Sequence, residues 1–441
     1  MCADFSSLLT QHFNADNLER VFTEKVQFQS ATGTDGITAR KFGDIATAQI
    51  QIALRKILAS TYHFTRYREK LILKSRDKPP RVIAIPTVRD KLVLRALNEC
   101  LSQAYHGCHP PPINRTIARI KEGLRGGKYT GYLRLDIQDF YPTIRHEPLL
   151  ERLEALSLPP EIMILVERAI QQRTYKVKAQ SDNLGIPQGL PISNAVANIY
   201  LEKIDEHWAA DTTLLYSRFV DDILILGTLD KLPPIHAQIT TMFEKLGLTA
   251  HPLESGKSAL KPISEPVAYL GYRLAPNLTS VREASLHKLK ESLIAIFVSH
   301  ARNKKKGYRK KLLWRLNLRV TGCTVNKQRF GWLHFFSEID DLSLLKSLDV
   351  FVARQLTRWQ IKRVKPRKFV RTYFEVRYRS ESTRYIPSFD GYELAEKAAL
   401  LKNIFGVKIT SGWTEKDISR EFFLRLRRET ISLEEDLVRL S

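Results

Sequence analysis

The spacing of apolar positions changes along the chain, and each change predicts an element. Residues 1–60 carry helical spacing, interrupted by TGTDGIT (Thr32–Thr38), where Asp35–Gly36 marks a turn. KLILK and RVIAIP read as short strands on either side of the turn SRDKPP. TVRDKLVLRALNECLSQAY returns to helical period, with Leu92, Leu94, Leu97 and Leu101 among its apolar positions. GYLRLDIQDFYPTI (Gly131–Ile144) predicts a strand ending near Asp136, and a helical stretch runs from about His146 to Gln172. LGIPQGLPISNAVANIYLEKIDEHW is a Gly/Pro loop followed by a helix. Ser193 or Asn194 is placed to cap that helix, and Val196, Tyr200, Ile204 and Trp208 share one face. LLYSRFV and ILILG then predict two strands with Asp221–Asp222 at the turn between them. A helix (His236–Leu246) and further short strands, including VAYLGYRL, follow. From about Leu286 long helical patterns dominate, and the final 80 residues read as aromatic-basic strands plus a charged helix.

Composition adds a partner to this α+β pattern. The 441 residues exceed one average domain and predict two or three packed parts. A hydrophobic content of 43% suffices for a core, but the formal net charge is +23. So large a basic excess suggests a polyanionic partner and argues against an ordinary metabolic enzyme. Cys2, Cys100, Cys108 and Cys323 are scattered with no CxxC pair, which points away from a zinc ribbon or a disulfide framework and fits a reducing, cytoplasmic setting. The first residues lack a signal-peptide pattern, no run approaches the length of a membrane span, and no membrane partner is expected.

The chemistry concentrates in YSRFVDDILILG (Tyr216–Gly227), where two aspartates stand inside an apolar run. Buried carboxylates cost several kcal/mol unless a cation meets them, roughly. The pair therefore sits either at a solvated turn or at a metal site. Asp136 ends another strand 85 residues earlier. If the strands are neighbours, three carboxylates converge and raise one another's pKa, a conflict that two Mg²⁺ ions would resolve.

FVDD between apolar strands, preceded by GIPQGLPISN and LDIQDFYPTI, resembles the palm of reverse transcriptases, in particular the bacterial group II intron, retron and "unknown group" defence-associated enzymes. TGTDGIT, YREKLILKSRDKPPRVIAIPTVRDKLVLRAL, AYLGYRL and RFGWLHFFSEID agree in order with the family's N-terminal, fingers, primer-grip and thumb segments, over roughly residues 30–360. The resemblance implies a right-hand polymerase: an N-terminal helical extension (1–60), fingers (61–130), a palm with an antiparallel sheet (131–285), a helical thumb (286–360) and a basic C-terminal extension (361–441). It implies that Asp136, Asp221 and Asp222 are catalytic and ligate the metals, assisted by the Ile137 carbonyl. Tyr141 corresponds to the steric gate against a 2′-hydroxyl, with Phe140 beside it a core residue. Gln188 lies by the nascent base pair, and Gly189 lets the backbone approach the template. Lys78 and Arg81 grip the triphosphate, with Arg89 and Lys91 as lesser candidates. Lys257 protonates the pyrophosphate, and Gly271 and Tyr272 hold the primer. Phe219 and Val220 depart from the family's Tyr-Ala before Asp-Asp without removing a ligand. No Cys/His cluster or RNase H constellation suggests an attached nuclease.

The expected activity is RNA-directed DNA synthesis with two Mg²⁺ ions (Mn²⁺ as a substitute), using dNTPs and an associated non-coding RNA as template for a cDNA product, in bacterial antiphage defence. A homo-oligomer or a partner defence protein is compatible with this. The alternatives are untemplated or protein-primed synthesis at the same site, and a maturase-like RNA binder without chemistry. Two basic segments interleave aromatics. Residues 301–319 hold nine Lys or Arg and no acid, with Tyr308 and Trp314. Residues 362–379 hold eight and one acid, Glu375, with Phe369, Tyr373, Phe374 and Tyr378. The first is expected to track the template–primer duplex and the second to hold a structured RNA.

Overall fold

The helix Val88–Ala104 is apolar on more than one side, with Leu92, Val93, Leu94, Leu97 and Leu101 all buried. A single amphipathic stripe cannot do this, so neighbours must cover it from several directions. The helices Leu8–His12, Ala15–Val21, Ala46–Leu58 and Pro160–Gln171 pack against it. The Thr87 hydroxyl caps its start by accepting from the Asp90 N–H. Asp90 is itself fully buried, and its carboxylate accepts from Tyr62 OH at 2.7 Å and the Thr65 N–H at 3.0 Å, the pairing a buried acid requires. The structure, a computed structural model, describes residues 7–29, 31–72, 80–172, 174, 183–302, 308–435 and 437. The chain divides into two compact units, residues 1–110 with 131–261, and residues 111–130 with 262–441.

In the first unit β1 (Arg68–Ile72) and β2 (Arg81–Ile85) form an antiparallel pair. β3 (Gly131–Asp136), β4 (Leu215–Phe219), β5 (Asp222–Gly227) and β6 (Ala259–Pro262) form a sheet in the order β4-β5-β3-β6. Ile223, Leu224, Ile225 and Leu226 are all buried, so β5 is covered on both faces, as an uninterrupted apolar strand must be. The helix Leu232–Lys245 packs on β3 and Glu202–Ala209 on β4.

In the second unit β7 (Val267–Tyr269), β8 (Tyr272–Ala275) and β9 (Leu278–Val281) form a three-stranded antiparallel meander. The helix Ile113–Arg125 packs on β8, and its Lys121 meets the Asp340 carboxylate at 2.9 Å. Helices Glu283–Arg302, Tyr308–Thr321, Leu342–Arg358, Phe369–Tyr378, Leu394–Asn403 and Glu415–Glu435 make up most of the rest, with the hairpin of β10 (Cys323–Val325) and β11 (Gln328–Phe330). One apolar centre gathers Leu318, Cys323, Phe389, Leu401, Phe422 and Leu426. Among the described residues no helix is long and apolar enough to cross a membrane. Cys100, Cys108 and Cys323 are free and buried, and burial pushes all three thiols up, Cys108 and Cys323 to about 12.

Several sequence expectations are corrected. The stretch from His146 to Gln172 is two helices, His146–Ala155 and Pro160–Gln171, because Pro159 and Pro160 interrupt the hydrogen-bond ladder. Neither Ser193 nor Asn194 caps its helix: Ser193 Oγ donates to the Pro187 carbonyl at 2.6 Å, and Asn194 is turned to Tyr141. The helix expected at His236–Leu246 begins at Leu232. The run from Arg329 is not one helix. A hairpin and the short helix Trp332–Phe335 precede Leu342–Arg358, which Asp341 caps through the Leu344 N–H. Residues 369–378 are helical rather than stranded, and the described residues beyond 360 form no strand. The turn of the aspartate hairpin is Val220–Asp221, one residue earlier than expected, so Asp222 is the first residue of β5.

Candidate active site

Register brings the aspartates together. β3 and β5 run antiparallel with Asp136 directly opposite Asp222, and side chains at directly opposed positions share one face about 5 Å apart at Cβ. Phe219 pairs with Asp222 across the hairpin, which leaves Val220 and Asp221 as a two-residue turn. The Ile137 N–H donates to the Asp221 carbonyl at 3.2 Å, tying the turn to the end of β3. Burial first, then the Asp136 charge, raises the Asp221 carboxyl, while Arg81 and Lys257 oppose the shift. Burial pushes Asp222 up to about 7, with Asp221 and Asp136 adding and Arg134 opposing.

Cations hold two of these carboxylates. Arg134 Nε donates to Asp222 Oδ1 at 3.2 Å. Lys257 Nζ donates to Asp136 Oδ1 at 3.1 Å and lies 2.7 Å from His251 Nε2, which is itself 3.3 Å from the same carboxylate oxygen. The Asp136 N–H donates to Ser258 Oγ at 3.2 Å, and its carbonyl accepts from the His251 N–H at 2.9 Å. Among the described residues no three His, Cys, Asp or Glu side chains form a ready metal cage. The donor set nevertheless fits a hard divalent ion: carboxylate oxygens crowded at one strand end, with the Asp221 and Asp222 carboxyls made weaker acids by burial and by the neighbouring charges. Mg²⁺ takes one or two carboxylates and completes its shell with substrate phosphates and water, so a closed protein cage is not required.

A second ion pair braces the turn. Val220 has φ +58°, a left-handed conformation that β-branched residues rarely adopt. Arg218, whose side chain is only 6% exposed, donates to the Val220 carbonyl and to Asn198 Oδ1, each at 2.9 Å, and forms a two-pronged ion pair with Asp205. Tyr216 OH donates to the same Asp205 carboxylate at 2.7 Å. Burial would lower the guanidinium, but Asp205 more than compensates and holds its acidity well below that of a free arginine.

The other expected site residues scatter in role. Tyr141 is buried, donates to Asn194 Oδ1 at 2.6 Å, and feels the charges of Asp221 and Arg81. Phe140 packs in the core beside it. The Gln188 carbonyl accepts from the Ala84 N–H at 2.7 Å, which lays the PQG loop along β2. At Gly189 a Cβ would stand 2.6 Å from Ile83, so the loop and strand could not approach this closely with any other residue. Arg81 begins β2. Arg89 reaches Gln49 at 3.3 Å, and Lys91 reaches the Ala31 carbonyl at 3.4 Å. Lys78 lies outside the described residues. In the second unit Gly271 closes the β7–β8 turn, whereas Tyr272 is fully buried with its OH donating to the Phe335 carbonyl at 2.6 Å. Its ring therefore belongs to the core, and the turn residues Leu270 and Gly271 are buried as well. Sequence reasoning missed Arg134, His251, Ser258 and Asn194. Arg134 had a signal, since it lies two residues before Asp136 on the same strand face.

Residues 72–274 match the family described as reverse transcriptase (RNA-dependent DNA polymerase). Protein YkfC of Escherichia coli (strain K12) is 22% identical over 291 residues, 55% of this chain and 75% of that protein. The group II intron-encoded protein LtrA of Lactococcus lactis subsp. cremoris is 24% identical over 220 residues, 43% of this chain and 36% of LtrA. Among solved structures, a telomerase from Candida albicans in complex with the TWJ fragment of telomeric RNA aligns over 84% of this chain and 67% of its own, with 14% identity and a TM-score of 0.43. The sheet with its aspartate hairpin and the matched segment together fit an α+β polymerase right hand working as an RNA-directed DNA polymerase, and the group II intron-encoded LtrA is among the proteins this chain resembles.

Proposed function

We propose that the chain copies an associated non-coding RNA into cDNA from dNTPs by two-metal nucleotidyl transfer, and that it does so in the cytoplasm in antiphage defence. The observation that carries the catalytic part is the register: Asp136 opposite Asp222, with Asp221 in the intervening turn hydrogen-bonded to Ile137. The defence part and the non-coding template rest on the resemblance of the motifs to defence-associated enzymes.

In this reading Asp136, Asp221 and Asp222 would hold two Mg²⁺ ions, with the Ile137 carbonyl assisting and Mn²⁺ able to replace them. When bound, such ions supply positive charge to the attacking and leaving oxygens of an in-line displacement. The chain's own groups do the rest. Arg134 and Arg218 fix the Asp222 carboxylate and the turn. Arg81 and Lys78 receive the triphosphate. Tyr141, held by Asn194, closes the sugar pocket against a 2′-hydroxyl. Lys257 stands beside Asp136, placed to neutralise the departing pyrophosphate. Residues 61–130 would serve as fingers, 131–285 as palm and 286–360 as thumb.

Primer extension tests this directly. The Asp221→Ala/Asp222→Ala variant is expected to lose dNTP incorporation by at least about a thousandfold, roughly 4 kcal/mol of transition-state stabilisation, while RNA binding persists. Undiminished incorporation by that variant would remove the polymerase assignment from this site. Sequencing the nucleic acid that copurifies with the chain identifies the template, and a phage challenge of cells carrying the active and inactive forms tests the defence role.

A further inference from the structure

Among the described residues, two aromatic side chains stand exposed, Phe374 at 45% and Tyr378 at 69%, and they are neighbours. They lie one turn apart on the helix Phe369–Tyr378, with ring centroids 6.0 Å apart and planes 24° from parallel. The helix is firmly seated by its other side. Phe369, Thr372, Tyr373 and Glu375 are buried, and the Phe369 N–H donates to Asp349 at 2.6 Å. Trp314 of the other basic segment is likewise spent on packing, against Phe389 and Phe405. Burial has thus separated the segment's four aromatics into two that build the core and two that face solvent as a flat pair.

The charge along this segment is mostly of one sign. Residues 362–379 hold eight basic residues, and the single acid, Glu375, is turned inward, accepting from Thr383 Oγ1 at 2.7 Å and Arg371 Nε at 3.3 Å. Arg371 is exposed one turn before Phe374, and its guanidinium lies 4.3 Å from the Tyr385 ring centroid, with Arg367 5.1 Å from the same ring. Arg379 follows Tyr378, also exposed. We propose that this face binds unpaired nucleic acid, with bases stacking on Phe374 and Tyr378 and neighbouring phosphates meeting Arg371 and Arg379. Each feature matches that occupant. Flat π faces accept any base, and cations follow the backbone. A membrane surface or an apolar protein helix would call for aliphatic bulk around the rings, whereas arginines border them.

The inference is independent of the palm, because it concerns binding and not chemistry. Fluorescence anisotropy with the full chain and a labelled single-stranded oligoribonucleotide of about a dozen nucleotides is the test. Phe374→Ala/Tyr378→Ala is expected to weaken single-strand binding about 10- to 100-fold with an unchanged salt slope, since no cation is removed. Duplex RNA binding should change less than about twofold because paired bases are not free to stack. Phe374→Trp/Tyr378→Trp should restore binding, and 4-thiouridine photocrosslinks should map to these positions. Extension of a pre-annealed primer on a short template should stay within about twofold of the parent, so failure of this surface and failure of the catalytic assignment read out separately. Unchanged single-strand affinity, equal loss for duplex and single strand, or crosslinks only elsewhere would each overturn the proposal. So would loss of binding to phosphatidylserine vesicles with RNA affinity intact, which would assign the rings to a membrane surface.

Discussion

The two units each contain a β-hairpin closed by two residues, and the two closures are built differently. In the second unit Leu270 and Gly271 both have positive φ, +47° and +82°, the type I′ pattern, with glycine in the second place. In the first unit only the first turn residue, Val220 at +58°, is left-handed, the type II′ pattern, in which glycine is preferred at that position. The first hairpin therefore keeps a branched side chain where glycine would be relaxed, and it is this turn that presents Asp221. Strain of this sort costs roughly 1–3 kcal/mol and persists only where surroundings enforce it. Here the surroundings are visible: Val220 is buried, Arg218 donates to its carbonyl, and Ile137 holds the Asp221 carbonyl. The second hairpin receives one comparable bond, Arg282 N–H to the Gly271 carbonyl at 3.0 Å. The lesson is that the chain places the Arg218–Asp205 ion pair under the strained turn and leaves the relaxed one to backbone geometry.

Removing the brace should do the most damage. Arg218→Leu leaves the half-buried Asp205 without its cation and should cost about 3 kcal/mol of stability in the first unit, the low end for a broken buried pair, along with most dNTP incorporation. Arg218→Leu/Asp205→Leu should regain stability by denaturant titration while remaining impaired in primer extension. Full activity of the double variant would show that the brace is structural only. Next comes Gly271→Val, which forces a branched residue into φ +82° with a Cβ 3.3 Å from the Phe336 ring. A loss of about 2–3 kcal/mol is expected, seen as a lower unfolding midpoint of the second unit.

Acid should then separate the hairpins. Burial first, then Arg329, pushes His334 down to about 4, and His334 directly precedes Phe335 and Phe336, the rings against Tyr272. A histidine whose folded pKa lies below its unfolded value stabilises the fold above the unfolded value, near 6.5, and that contribution is lost as pH falls towards 4. The second unit should lose on the order of 2–3 kcal/mol across this window, and His334→Gln should flatten the profile. The smallest effect is expected for Val220→Gly. Relief of strain offsets most of the lost burial, leaving stability within about 1 kcal/mol of the parent. Activity should fall all the same as Asp221 gains freedom, and retained activity would mean that the strained turn is not needed to aim it.

The parts of this arrangement that were readable from sequence are those written in local pattern. ILILG and LRLD announce buried strands, and two aspartates at the head of one and a third at the end of the other are conspicuous against them. The helix beginning at Val88 shows its leucines. What could not be read is what depends on partners remote along the chain. His251 reaches Asp136 across 115 positions, and no local signal marks it. Phe369 and Tyr373 share the i, i+4 spacing of Phe374 and Tyr378, so the pattern offers two equal stripes and only packing decides which one turns inward. The one-residue displacement of the aspartate turn arises because a left-handed valine is a conformation that propensity alone advises against.

The buried cysteines have a practical consequence. With Cys100, Cys108 and Cys323 enclosed and their thiols protonated at neutral pH, maleimide chemistry finds little to react with in the folded interior. A chain with Cys2 replaced by serine then offers a nearly silent background. A single thiol introduced at an exposed position such as Lys365 could carry one dye or spin label and report, without further engineering, on how the helical unit moves while a template is copied.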